Sequence, residues 1–290
     1  LNRMMYIFCM LIWGLNFIAV KIQGTDASLE ISLLYRSAIA FCLFLGLLFF
    51  QKKTVKVKNG DWLTLIGFGF CNFAISYLLL YYGTILATSA LVTLIFSMKV
   101  VTTPILIGLF LKKKIDLKIY IGGALGILSV IVILIPELDT INADFMTGAL
   151  LAIIGTLITS LGDVFSLYNS EKNINPVLAN TIGMFSAVVF LLIFSTISGQ
   201  KFVIPTTISY WIGLLYLAIL ASFVAWLFYL NLVKNIGASE SSYMVAGFPA
   251  IGGIASVCIG ESKLSLYLIF GIVLAVLGAY IALSKSEKEA

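Results

Sequence analysis

Histidine is absent from all 290 residues, charged residues make up only 11%, and there are four cysteines and five prolines. Each shortage excludes something. Without histidine there is no HExxH zinc site, no Ser-His-Asp triad and no imidazole proton relay. A soluble domain carries roughly 25% charged residues, so a chain with 61% apolar residues and a mean hydropathy of +1.11 is made for lipid. Cys9, Cys42, Cys71 and Cys258 are scattered through apolar segments, which leaves them as small core hydrophobes rather than a disulfide framework or a CxxC metal pair. No GxxxxGK[ST] loop occurs, so no nucleotide-driven step is expected, and nothing calls for a cofactor or metal.

What the chain does have is a succession of apolar runs of about 17 to 25 residues without strand-like alternation, which selects helices over a barrel. Bounded by charges and turn residues, they predict ten spans, over about 4–22, 29–50, 62–82, 88–111, 117–136, 146–168, 177–198, 209–232, 238–259 and 265–284. The expected fold class is therefore an all-α polytopic membrane protein. Arg3 and the apolar run after it resemble a signal peptide, but no small-residue cleavage site follows, so the run is taken as the first span. The connections are too short to hold a soluble domain.

Loop charges set the orientation. With the N-terminus cytoplasmic, the inner segments hold Arg3, Lys52, Lys53, Lys56, Lys58, Lys112, Lys113, Lys114, Lys118, Lys172, Lys234, Lys285 and Lys288, thirteen against Lys21, Lys201 and Lys263 outside. That bias places both termini in the cytoplasm, as in a multi-pass protein of a bacterial-type inner membrane. It also accounts for the net charge of +5 through contact with anionic lipid, with no nucleic-acid partner.

The two halves resemble each other. "KIDLKIYIGGALGILSVIVIL" from Lys114 aligns with "KLSLYLIFGIVLAVLGAYIAL" from Lys263 at an offset of 149, and "WGLNFIAVK" from Trp13 falls opposite "SLGDVFSLY" from Ser160 at 147. Two five-helix units are expected, residues 1–140 and 141–290. Five is odd, so the second unit must enter the membrane from the opposite face, and inverted repeats are the build of secondary transporters.

"WGLNFIAVK" followed by "YR" in the next span, the junction "YLNLVKNIGASESS", and "FP" before "IGESKL" together resemble the EamA-like transporters of the drug/metabolite transporter superfamily. The resemblance implies a central cavity lined by spans 1, 3, 4, 6, 8 and 9, and export of amino acids or similar metabolites. The chain departs from the family pattern at Lys99, and by repeat alignment Leu111 and Lys112 replace the Gly260-Glu261 pair.

Three charges lie well inside the spans. A 1.5 Å rise per residue places Arg36 about 10 Å, Lys99 about 16 Å and Asp163 about 25 Å from the outer ends of their helices. A lone ammonium at mid-membrane costs several kcal/mol, so Lys99 either pairs with Asp163 or helix carbonyls, or borders water and meets an anionic group of a substrate. Phe96 and Thr103 share its face. Asp163, taken as the only carboxylate buried in the bundle, is the candidate for proton coupling, for binding a substrate ammonium, or for a static pair with Lys99. Asn16, its repeat counterpart, is a candidate ligand contact or interhelical tie, and Arg36 an outer-leaflet anchor or substrate contact. Tyr77, Tyr81, Trp226 and Tyr243 supply an aromatic wall suited to stacking or cation–π contact, or to packing. Gly122, Gly126, Gly271 and Gly278 are expected to bring spans 5 and 10 close together.

The function these residues support is secondary transport of a small polar or zwitterionic, amino-acid-like solute by alternating access, as an exporter and as a monomer, with protons a possible partner. A channel-like facilitator or lipid scramblase is the alternative. A membrane-embedded enzyme is remote, since one buried Asp without histidine is a poor catalytic set.

Overall fold

The computed structural model of the protein describes residues 1–51, 57–112, 114–135, 142–236, 241 and 243–283. Among them ten helical spans follow one another and no strand forms. α1 is split into Asn2–Gly14 and Asn16–Gln23, bent by 42°. α2 is Leu29–Phe50, α3 Trp62–Leu86, α4 Ser89–Leu111 and α5 Leu117–Leu134. The second half holds α6 (Ala143–Glu171) and α7 (Pro176–Ile197). α8 runs through Ile208–Leu215, Tyr216–Val224 and Ala225–Ile236, α9 through Tyr243–Gly247 and Phe248–Cys258, and α10 over Leu266–Leu283. The predicted spans therefore all exist, and α6 extends beyond its predicted 146–168 at both ends. At 29 residues it is about 44 Å long, enough to cross the core with turns to spare.

Most starts are written into single residues. Ser28, Thr88, Asn142 and Asn175 cap α2, α4, α6 and α7 with side-chain oxygens that accept from the backbone N–H of Ile31, Leu91, Phe145 and Val177, and Pro176 opens α7 at its first position. Outward faces carry apolar side chains such as Ile131, Phe185, Ile193 and Phe270, a surface made for acyl chains. Two cysteines depart from the expected core role: Cys9 and Cys71 are buried, whereas Cys42 and Cys258 lie on this exposed perimeter.

Two inverted five-helix repeats make up the bundle, and their irregularities match. The third helix of each repeat winds into a π segment, Phe70–Ala74 in α3 and Tyr216–Val224 in α8. The fourth helix of each breaks at equivalent points, α4 at Met98 and α9 at Gly247, 149 residues apart. α5 and α10 pack antiparallel through the expected glycines. A Cβ on Gly122 would lie 2.5 Å from the carbonyl oxygen of Gly278, and one on Gly271 would lie 2.3 Å from Ile133. α3 and α7 approach even more closely, with a Cβ on Gly69 falling 2.2 Å from the carbonyl oxygen of Gly183.

Candidate functional site

The predicted residues assemble into two layers rather than one. In the first, the break in α4 at Met98 puts Lys99 at the head of the second helical piece, its ammonium 2.9 Å from Asp163 Oδ2 of α6. Thr103, one turn on, donates to the same oxygen at 2.9 Å. The Phe96 ring lies 5.2 Å from the Lys99 ammonium, stacks parallel to Phe248 and meets Phe17 edge-on. Thr102 and Ser160 add a hydrogen bond of 2.6 Å between the same two helices. Thus the cation of one repeat is held by the anion of the other, with side chains 13% and 18% exposed, so the pair is neither sealed nor solvated.

The second layer is centred on Arg36 of α2, which is 1% exposed. Its guanidinium donates to Ser222 Oγ of α8 at 2.8 Å, to Tyr81 OH of α3 at 3.3 Å and to Asn16 Oδ1 at 3.3 Å, where α1 resumes after its break. Its carbon sits 4.5 Å from the centroid of Tyr77 and 5.9 Å from that of Tyr81. The sequence left Arg36 as an outer-leaflet anchor or a substrate contact; the structure shows it joining four helices in the interior. Asn16 belongs with this cation, and among the described contacts it has none to Asp163, its repeat counterpart.

Aromatic rings occupy the centre. Trp226 packs edge-on against Trp13, Phe68, Phe73 and Tyr229, at centroid separations of 5.1 to 5.8 Å. Its indole N–H has no acceptor among the described residues. These rings pack the bundle around Trp226. A cleft of about 340 Å³ lies at the surface between Asp26 and Val203–Thr207, and a void of about 10 Å³ beside Met98 is too small for a solute. Tyr243 opens the first turn of α9, and its side chain lies outside the described residues.

Two features escaped the sequence reading. Asp163 is only half-buried, and the buried carboxylate among the described residues is Glu30 in the first turn of α2, which is 4% exposed and accepts from Tyr82 OH. Its nearness to a helix end made it look interfacial, but α3 covers it. The other feature is a latch at the Ser89 end of α4. Glu261 accepts from the Ser89 backbone N–H at 3.0 Å and from the Ser89 and Ser256 hydroxyls, and pairs with Lys21 at 3.0 Å. Lys21 also reaches the Ala87 carbonyl at 3.3 Å, so α1, α4 and the α9–α10 turn are tied together. The lost Gly-Glu pair in the first repeat was the one signal pointing here.

An internally duplicated, multi-pass integral membrane protein with opposite charges meeting between its halves is the class that fold and site define. The chain belongs to the EamA-like transporter family, whose model matches residues 3–135 and again 146–284. An uncharacterized transporter of Buchnera aphidicola (subsp. Schizaphis graminum) is 22% identical over 97% of this chain and 93% of its own length. One of Archaeoglobus fulgidus is 23% identical over 94% and 95%. The uncharacterized inner membrane transporter YedA of Escherichia coli is 29% identical over 46% of this chain and 45% of its own. A crystal structure superposes with a TM-score of 0.70, covering 97% of this chain and 96% of its own at 15% identity, a likeness of fold alone.

Proposed function

We propose that the protein is a secondary transporter that moves a small polar or zwitterionic, amino-acid-like solute across the cytoplasmic membrane by alternating access, exporting it, with both termini in the cytoplasm and the monomer as the working unit. The observation that carries this reading is the Lys99–Asp163 pair: one charge from each repeat, partly accessible, at the break in α4. A zwitterion offers the same two charges and can substitute for each partner in turn, so binding and release are coupled to parting of the halves. The likeness to YedA, named an inner membrane transporter, supports the membrane assigned. Asp163 is the proton-coupling group in this scheme, because it needs a new partner whenever Lys99 leaves it.

The test is uptake of labelled amino acids into proteoliposomes. Lys99→Ala is expected to abolish saturable uptake, and transport equal to wild type would refute the role. The double variant Lys99→Asp with Asp163→Lys separates a static tie from a substrate site. A tie predicts recovery of both thermal stability and transport, a substrate site recovery of stability alone. An imposed pH gradient is expected to change the rate in the wild type and not in Asp163→Asn.

A further inference from the structure

Lys21 pairs with Glu261 and Lys99 with Asp163, whereas Arg36 has no carboxylate among its described partners. It is the most deeply buried cation of the bundle interior, 1% exposed, and its partners are an amide, a hydroxyl and a phenol, all neutral. We propose that the Arg36 cage is a second station for the solute, one that takes a carboxylate.

Charge is the first argument. A guanidinium withdrawn from water with only neutral partners carries an uncompensated desolvation cost, which an anion offsets far better than a hydroxyl does. Two of the three bonds are 3.3 Å long, at the loose end of the range for N–H donors, and an Arg has five N–H groups. Geometry is the second. The Tyr77 ring lies against the cation at 4.5 Å, and the in-plane N–H fork is the edge that grips a carboxylate in bidentate fashion.

The third argument is independent of charge. The three helices that supply partners to Arg36 are irregular near their contacts: Asn16 is the first residue after the break in α1, Ser222 lies inside the π segment of α8, and Tyr77 stands three residues past the π segment of α3, with Tyr81 one turn beyond. π segments inside α-helices concentrate at functional sites because their winding can change locally. Rewinding α1 and α8 withdraws Asn16 and Ser222, the acceptors a carboxylate would replace. Lys99, the other interior cation, is already neutralised by Asp163 here, so Arg36 is the interior cation left without a carboxylate partner. The biological meaning of the station rests on the transporter reading above; the binding itself does not.

The experiment measures thermal unfolding of the purified full chain against acetate and phenylacetate, with 2-phenylethanol as the neutral control, at matched ionic strength. Wild type is expected to show saturable stabilisation by a carboxylate and none by the alcohol. The effect persists in Lys99→Ala and weakens at least about tenfold in Arg36→Gln, as loss of a charge-assisted pair requires. Ser222→Ala frees the donor that now bonds at 2.8 Å, and is expected to tighten carboxylate binding by about fivefold. No carboxylate stabilisation in wild type, or stabilisation undiminished in Arg36→Gln, overturns the station. If Arg36→Gln does not fold, Ser222→Ala decides, and binding unchanged or weakened makes Arg36 a structural tie. Carboxylate binding at Arg36 without amino-acid uptake would sink the transporter reading and leave the station standing.

Discussion

A single oxygen, Asp163 Oδ2, receives both the Lys99 ammonium and the Thr103 hydroxyl. Hydrogen bonds to charged groups contribute about 1.5–3 kcal/mol, so Thr103→Val, which keeps the shape and removes the donor, is expected to lower stability by about that amount, with Thr103→Ser restoring it. Thermal unfolding of the three proteins checks this, and a Thr103→Val protein as stable as wild type would mean that the ammonium alone satisfies the carboxylate. Much of this layer was legible in the sequence, because a charge in an apolar run has few affordable environments and the helical period puts Phe96 and Thr103 on the face of Lys99. The partners of Arg36 were not legible, for a physical reason. Rise per residue fixes depth but not which neighbour a side chain faces, and the helix breaks that bring Asn16 and Ser222 to it follow from tertiary packing.

At the scale of elements, the spans could be placed because hydropathy and capping residues act locally, whereas their interruptions could not. Gly14 and Leu15 do not announce a 42° bend, and neither π segment has a sequence signature of its own. The glycine seam between α5 and α10 was legible, and it predicts the sign of a substitution. Gly122→Ala gains about 1 kcal/mol of helix propensity. Its new methyl would meet the Gly278 carbonyl oxygen at 2.5 Å and Ala282 Cβ at 2.6 Å, contacts that force two backbones apart. Overpacking of this kind costs about 1–3 kcal/mol, so the steric term is expected to win, and Gly122→Ala should unfold at a lower temperature than wild type. A rise in the midpoint would show that the α5–α10 seam yields without cost.

For the whole molecule, the matched breaks in α4 and α9 and the matched π segments in α3 and α8 mean that each half has the same means of bending, and a charged latch spans the two halves at one end of the bundle. At the Ser89 end, Glu261 and Lys21 close α1, α4 and the α9–α10 turn with an ion pair and charge-assisted hydrogen bonds. Toward the opposite end Thr64 donates to Asn169 at 2.7 Å and Asn235 to Asn2 at 3.1 Å. Charged contacts of this kind hold roughly twice as strongly as neutral ones, so this latch holds the Ser89 end closed in the conformation described. If transport requires that end to open, a short bismaleimide joining Lys21→Cys to Glu261→Cys, in a chain whose four native cysteines are replaced, will stop turnover. The same pair left unlinked will transport, because losing the latch eases opening. Turnover that continues through the linked protein would mean that the solute leaves by another route, and that the two halves do not part at this latch.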